Sequence, residues 1–497
     1  MDIKTDPAVQ IPDLAQSKDT DPVTKDIEAK ATHINGLDLL NATPQELRRV
    51  IRKLDFYLLP LFFILYTFSV LDRSNLGNAR LVGLPEDIDV SGNRYEWLGN
   101  TFYIAYIVFQ FNVLGWKIFK AHKWVAFVVA FWGIASTLQA ACFGYGALVV
   151  CRFFLGWAET MFGPGVSLYF SYFWPREALG LRFGFFLSGA ALANAYGGAL
   201  AFGLGNINSG ISNWRLLFII EGAPTALLAI VCWFYVPDSP SKARFLNERE
   251  KQIAQAYANN QPGDFKTEGL NLSQLGDAFK DYKNWLFALM NFSVNVSFAS
   301  LPLFLPTIIS EFGSFSRIES NGFSAPPYAL CFIMIIVTAI VSDKLRLRGP
   351  FVFFFALLSA VGWLILATAT TAAARYVATF LAVLIFVSVA MLLTWTANTN
   401  ETSSKRAGGL WIVQTVGQCG TVLGTNMFPK SEAPYYRRGM WVGCAFSFIV
   451  MLSAGVLSFM LWRENRRRDR RHGRPEVGVQ VDMNDLEDVE RNLRYII

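Results

Sequence analysis

Apolar positions in this chain come in long blocks rather than at a short alternating period. Runs of about 20 apolar residues, the length a helix needs to cross a hydrocarbon core, recur about twelve times between short polar loops. Six start near Phe56, Trp97, Trp124, Leu148, Phe183 and Leu216, and six more near Trp285, Pro326, Phe351, Tyr376, Leu410 and Met440. The one long polar connection lies between Pro237 and Asn284, where KARFLNEREKQIAQAY has a helix-forming charge pattern and a linker containing Gly, Pro and Asp follows. The pattern predicts an all-α membrane protein with 12 transmembrane helices in two six-helix bundles. Its parts are a tail over 1–42, a first bundle over 43–236, a central loop over 237–284, a second bundle over 285–462 and a basic tail over 463–497.

Polar punctuation orients these segments. Thr43-Pro44-Gln45-Glu46 combines an N-cap, a proline at the first helical position and a glutamate at the third, and it opens into Arg48, Arg49, Arg52 and Lys53. Basic loops follow the second segment (GWKIFKAHK) and the eighth (SDKLRLRG), so both termini are expected in the cytosol. Lys430, Arg437 and Arg438 dissent locally. The first 42 residues, rich in Asp, Lys, Thr and Pro, read as a disordered tail without a signal-peptide core.

Composition narrows the class. With 53% hydrophobic and 15% aromatic residues, the chain of 497 residues is too apolar for a soluble protein of its size. The net charge of +6 gathers at membrane edges, which fits topology and contact with anionic membrane lipid, as in RENRRRDRRHGR, rather than nucleic acid. Six cysteines fall in expected spans with no CxxC, so neither disulfide nor metal is implied. His33, His122 and His472 lie in tails or loops, and no nucleophile–base constellation is legible, so no enzyme is expected.

The chemistry sits in the fourth segment, CRFFLGWAETMFGPGVSLYFSYFWP, which carries Arg152 and Glu159. Seven residues turn a helix through roughly 700°, which puts both on one stripe about 10 Å apart along the axis. A charge at bilayer depth costs at least a few kcal/mol and normally faces a partner or a wet cavity. The stripe is a functional candidate, with a permanent Arg152–Glu159 salt bridge as the structural alternative. Asp72 and Arg73 follow the apolar run Phe56 to Leu71, and hydropathy alone leaves them either inside the first span or at its outer end. Two related halves around a central loop are the organisation of a secondary transporter.

Several stretches together, RKLDFYLLPLF, LDRSNLGNA, RFFLGWAETMFGPG, WRLLFIIEGAPT, PDSPSKARFLNEREK, LFLPTII and SDKLRLRGPF, resemble the major facilitator superfamily. Within it they are most similar to the anion:cation symporter branch and its fungal allantoate, nicotinate and pantothenate permeases. The resemblance covers about Thr43 to Trp462 and implies that Asp72 and Arg73 are buried. It puts Tyr106 beside an anion site, with Gln110 on the same face one turn further on; the charge balance of the four buried groups then puts Arg73 and Arg152 on a carboxylate substrate, with Glu159, coupled to Asp72, as proton carriers. Asn194, Asn291, Asn295 and Trp395 are further candidates for the cavity wall. Arg215 with Glu221, and Asp343 with Arg346 and Arg348, are assigned structural or gating roles. GWKIFKAHK departs from the superfamily's gate motif, and QTVGQCGTVLGTNMFP lacks the usual Gly-Asn pair, so no substrate contact is carried onto it.

The expected function is proton-coupled import of a monocarboxylate by alternating access, with no cofactor beyond the proton gradient. The expected setting is a monomer in the plasma membrane, or alternatively a vacuolar membrane. With Asp72, Arg73, Arg152 and Glu159 all ionised the group is neutral, so an incoming anion calls for a proton. A superfamily exporter and a non-transporting nutrient sensor are the competing classes. GFFLSGAALANAYGGALAFG has no proline of the kind an antiporter motif would carry, and the tails show no signalling domain.

Overall fold

Each apolar block closes its own backbone hydrogen bonds as a helix, the solution open to a single segment in hydrocarbon. The structure, a computed structural model, describes residues 40–175, 178–207, 210–259, 272–311, 315–400, 403–473, 491 and 494–497. The expected tail over 1–42 therefore lies almost wholly outside the described residues.

The helices of the first half are α1 (Pro44–Ala79), α2 (Arg94–Val108), α3 (Ala121–Leu138), α4 (Tyr145–Glu159), α5 (Gly163–Phe170), α6 (Leu179–Gly205) and α7 (Asn213–Tyr235). Those of the second half are α8 (Tyr282–Ser310), α9 (Arg317–Leu345), α10 (Gly349–Thr368), α11 (Ala372–Val383), α12 (Ile385–Thr399), α13 (Ser403–Thr425) and α14 (Arg437–His472). The pairs α4–α5 and α11–α12 each form one membrane-length rod. Among the described residues, 10 helices or rods are long and apolar enough to cross a membrane. The other two expected segments are helical but fall short. α2 has 15 residues before the chain tightens into a 3-10 turn at Gln110–Leu114, and α13, a continuous helix of 23 residues, is made less apolar by its Ser, Gly, Gln and Thr residues.

α1 opens with the expected capping box, Thr43 Oγ1 accepting from the Glu46 N–H at 3.2 Å and the Thr43 N–H donating to Glu46 at 2.9 Å. It then runs unbroken through Pro60 to Ala79, so Asp72 and Arg73 are interior to the helix and not at its end. At the other terminus α14 passes the expected boundary at Trp462 and continues to His472. Arg and Glu are good helix formers, and Arg466 stacks on Trp462 at 4.2 Å. The cysteines, expected as buried small hydrophobes of the spans, follow that reading only in part, since Cys151 is half-buried and Cys419 exposed.

α3 packs on α7 with backbone in direct contact, and a Cβ on Gly133 would lie 2.4 Å from the Ala226 nitrogen. The halves meet along α6 and α9, and again where α1 and α2 touch α8 and α13 on the face away from the basic loops. There Gly77 lets α1 approach so closely that a Cβ would sit 2.4 Å from the Pro302 carbonyl. Tyr95 donates to the Leu303 carbonyl at 3.1 Å, and Asn100 exchanges amide hydrogen bonds with Asn426 at 3.0 and 3.2 Å and accepts from Thr425. This far face is closed.

On the basic face the loop helix Glu248–Asn259, at the expected place, is tied to α1. Lys53 Nζ donates to both oxygens of Glu250 at 2.7 Å, with Arg49 at 3.7 Å. Burial works to raise the Glu250 carboxyl, but hydrogen bonds from Lys53 and Asn247 and the Arg49 charge outweigh it, holding it below the ordinary 4.5. A depressed carboxyl contributes stability that is fully present above its unfolded value and is lost as pH falls through the folded one. The protection of the Glu248–Asn259 amides relative to their intrinsic exchange rates should be high at neutral pH and fall as pH drops below 4.5; Glu250→Gln should show the low protection already at neutral pH.

Candidate functional site

A run of helices in the first half converges on one charged cluster. α1 supplies Asp72 and Arg73, α4 supplies Arg152 and Glu159, α3 supplies Ser136, and α2 lays Phe102 and Tyr106 alongside. Asp72 is fully buried and accepts from Ser136 Oγ at 2.6 Å. Glu159 is 1% exposed; its Oε2 accepts from Ser69 at 2.9 Å and from Arg73 Nη2 at 2.7 Å, while its Oε1 has no protein partner.

The structural alternative, a permanent Arg152–Glu159 bridge, is therefore not made. A seven-residue separation along one helix is too far for direct contact, and α1 brings Arg73 between them. Arg152 is 1% exposed, donates to the Arg73 carbonyl at 3.3 Å and stands over the Phe218 ring at 5.8 Å, with Nε and Nη2 unbonded within the protein. Arg73 is the accessible member, its side chain 13% exposed. Its guanidinium lies over Phe102 at 5.0 Å and Tyr106 at 5.3 Å, a cation–π arrangement of about 0.5–2 kcal/mol per ring.

Tyr106 thus joins the site, but Gln110 does not share its face. α2 ends at Val108, and Gln110 begins the 3-10 turn. Asn194 is bonded back to its own helix at the Ala190 carbonyl, 2.8 Å away. Asn291 spans from α8 to the Val413 carbonyl of α13 at 2.9 Å, a strut between helices, and Asn295 is buried one turn further along α8. Trp395 is packed rather than wall-forming. Its ring meets Phe287 edge-on at 5.1 Å, and its N–H donates to the Ile496 carbonyl at 2.9 Å, where the end of the chain folds back over the basic face.

Arg215 and Glu221, assigned structural or gating roles together, do not meet. Arg215 turns outward to Asp87 at 3.6 Å and the Ala140 carbonyl at 2.6 Å, stacked between Phe143 and Trp214, because it sits in the first turn of α7 near the far face. Glu221 is two turns deeper and 1% exposed. In the second gate loop Asp343 pairs with Arg348 and not with Arg346, whose left-handed backbone at φ 54° ends α9 and leaves its side chain exposed. Arg348 also reaches Ser342 at 2.9 Å and abuts Gly180 of α6, which ties the loop to the other half.

Sequence reasoning missed Ser69, Ser136, Phe102 and Tyr103. The serines had no signal, since Ser in an apolar helix usually bonds to its own carbonyls. Phe102 and Tyr103 were hidden among the aromatics of an apolar segment.

Two halves of membrane-length helices, the first holding a buried, ion-paired cluster, are the organisation of a membrane transporter. The chain belongs to the Major Facilitator Superfamily, which it matches over residues 62–425. It is 33% identical over 434 residues to an uncharacterised transporter of Schizosaccharomyces pombe, across 86% of this chain and 89% of that one. It is 31% identical over 458 residues to the major facilitator-type transporter hxnP of Emericella nidulans, across 89% and 91%. To the high-affinity nicotinic acid transporter of Saccharomyces cerevisiae it is 29% identical over 449 residues, across 89% and 83%. Among solved structures the fold is similar to the partially occluded inward-open xylose transporter XylE of E. coli, with TM-score 0.60, 13% identity and coverage of 82% of this chain and 97% of that one. It is also similar to an inward-facing bacterial homologue of the human lysosomal transporter Spinster, with TM-score 0.58, 14% identity and coverage of 84% and 97%.

Removing one partner from the Arg73–Glu159 pair strands the other. Arg73→Gln should destabilise the purified protein by about 3–5 kcal/mol, the usual cost of an uncompensated buried charge. The double change Arg73→Gln with Glu159→Gln should recover most of that loss in a thermal-unfolding cycle. Equal melting of single and double variants would show that the pair carries no coupling energy.

Proposed function

We propose that the protein imports a small organic monocarboxylate together with a proton across the plasma membrane, by alternating access through twelve membrane-crossing segments. The observation that carries this reading is the double role of Arg73, the accessible cation of the cluster and the ion-pair partner of buried Glu159. Arg73 spends Nε and Nη2 on a single Glu159 oxygen, so its Nη1 edge is turned to a second carboxylate. Arginine is suited to such fork-like recognition.

Docking an anion there adds a negative charge to a site closed off from water, which is unfavourable unless a proton arrives too. Glu159 Oε1, without a protein partner, is where the proton goes. The protonated glutamic acid gives up its share of Arg73, and the substrate takes it. When the cavity opens to the cytosol the proton leaves, Glu159 reclaims Arg73, and the substrate is displaced. Arg152 and Asp72 hold the charge behind α1 in balance. The flat aromatic surround of Phe102 and Tyr106 suits a planar or compact acid, and the nicotinic acid transporter among the relatives supports nicotinate as the first candidate.

The test is uptake of radiolabelled nicotinate, pantothenate and allantoate by cells expressing the protein, with and without an inward proton gradient. The wild type should concentrate at least one of them only with the gradient. Glu159→Gln should lose concentration against a gradient while still exchanging preloaded substrate. Uptake that ignores the gradient, or a Glu159→Gln protein that still concentrates substrate, would overturn the coupling scheme.

A further inference from the structure

The mechanism above uses Arg73 and leaves a second arginine of the same helix without a task. Arg80 follows the last residue of α1 and keeps a helical backbone, φ −56° and ψ −32°, so the stripe that carries Arg73 continues through it. Seven helical residues turn through roughly 700°, which puts both side chains on one face, about 10 Å apart along the axis.

α2 repeats the pattern. Tyr95, Phe102 and Tyr106 stand seven and four residues apart and share a face of that helix. Phe102 and Tyr106 lie under the Arg73 guanidinium at 5.0 and 5.3 Å, and Tyr95 lies under that of Arg80 at 4.3 Å. Two arginines of one helix thus rest on aromatic rings of the next, one deep in the bundle and one at its far face.

Arg80 is not a cation parked in water. It is half-buried, and its Nη1 is closed off from solvent with no hydrogen-bond partner. The acids of the loop that follows are spent on other cations, Glu86 on Arg317, Asp87 on Arg215 and Asp89 on Arg94. Glu96, the residue after Tyr95, has an unbonded oxygen of its own and does not pair with Arg80 either. A cation at the end of α1 is favoured by the helix dipole, but that attraction leaves Nη1 unfilled. A closed-off guanidinium N–H calls for an acceptor.

The ring under Arg80 belongs to the closing seam. The Tyr95 hydroxyl donates to the Leu303 carbonyl of α8 at 3.1 Å, and further along α2 Asn100 meets Thr425 and Asn426 of α13. An opening at the far face has to break these contacts between the halves. Parting them uncovers Tyr95 and Arg80 together, on the wall that leads down to Arg73.

We infer that Arg80 is an outer anion-binding residue of the transport path, which takes the substrate carboxylate at the far face and passes it along the α1 stripe to Arg73. The inference rests on the reading of Arg73 as the carboxylate site and adds a staging position above it. In the proposed import cycle the far face is the outer one. Arginine holds a carboxylate through two N–H groups, and the unbonded Nη1 supplies one of them. Tyr95 offers a planar acid there the surface that Phe102 and Tyr106 offer below.

Uptake kinetics of nicotinate at fixed pH test it. Arg80→Gln should raise KM by about tenfold, the loss of one charge-assisted contact, and leave the maximal rate per transporter within about twofold. Arg80→Lys, which keeps the charge without the fork, should recover part of the loss. Added external salt should raise the wild-type KM and leave that of Arg80→Gln nearly flat, because an exposed charge is screened. A residue that only caps α1 or braces the seam would lower the melting temperature or the maximal rate and leave KM and its salt response alone. That result, or an Arg80→Gln protein with wild-type kinetics, would overturn the inference.

A second measurement needs no transported substrate. A membrane-impermeant thiol reagent added outside the cells should modify Arg80→Cys beyond the labelling of the wild-type cysteines, and nicotinate should slow the reaction. An Arg80→Cys protein that stays unmodified counts against the outer position, and this arm also decides the matter should Arg80→Gln fail to reach the membrane. Nicotinate uptake that ignores the proton gradient sinks the coupling scheme and leaves the KM comparison standing. If the wild type takes up no carboxylate at all, the import reading fails and the thiol labelling judges Arg80 on its own.

Discussion

An ionised group in the interior of a membrane bundle has no water to answer it, so each one fixes the placement of whatever helix supplies its partner. The Arg73–Glu159 pair is where this constraint acts most strongly. It joins α1 to α4, draws Ser69 in from one turn below, and gives Phe102 and Tyr106 of α2 a cation to stack on. Much of the first half is packed by small residues and aromatics that could slide. The charged pair cannot slide without stranding a charge. The register of α1 against α2 and α4 therefore follows from electrostatics more than from shape.

The large features were legible in the sequence because they depend on block composition. A span of about 20 apolar residues has few alternatives to a helix in hydrocarbon, and the Thr43 capping box and the Glu248–Asn259 helix were read from local chemistry. That Asp72 and Arg73 lie at the depth of Arg152 and Glu159 was legible only through the family resemblance, because hydropathy alone allows them at the outer end of the first span as well. Which pairs with which was not. Arg152 and Glu159 share a helix stripe, but the partner of Glu159 comes from α1, and helix-to-helix rotation leaves no trace in an apolar segment whose every face is greasy. The same blindness explains Asn194 and Asn291. Both look like cavity residues in the sequence; one is bonded to its own helix and the other braces α8 on α13. Arg215 and Glu221 stand six residues apart in one motif yet serve opposite ends of a depth gradient.

The chemistry is asymmetric between the halves. Arg73, Arg152, Asp72, Glu159 and Glu221 all come from the first bundle, whereas the buried polar residues of the second mostly brace helices or gates. Two related bundles need not divide the work evenly. One can hold the charges in fixed geometry while the other supplies a surface that moves across them. Asp343 and Arg348 sit where such a surface meets α6, and the end of the chain, with Tyr495 between Lys283 and Arg468, lies over the same face of the second bundle.

The nature of each contact bears on which interfaces would separate in the proposed cycle. Within the first bundle α3 and α7 meet backbone to backbone at Gly133, an apolar contact that has no replacement partner if opened. Across the far face the halves meet through Asn100 with Thr425 and Asn426, and through Tyr95 with a backbone carbonyl. Those polar groups exchange one another for water at little net cost, since a typical protein hydrogen bond is worth only about 0.5–1.5 kcal/mol over its hydrated parts. Gly77, with no side chain to withdraw, lets the α1 and α8 backbones touch and part without a rotamer change. In the proposed alternating-access cycle the bundles would stay rigid internally and part at the polar seam, which is what moving one side of a fixed charged site from one face of the membrane to the other requires.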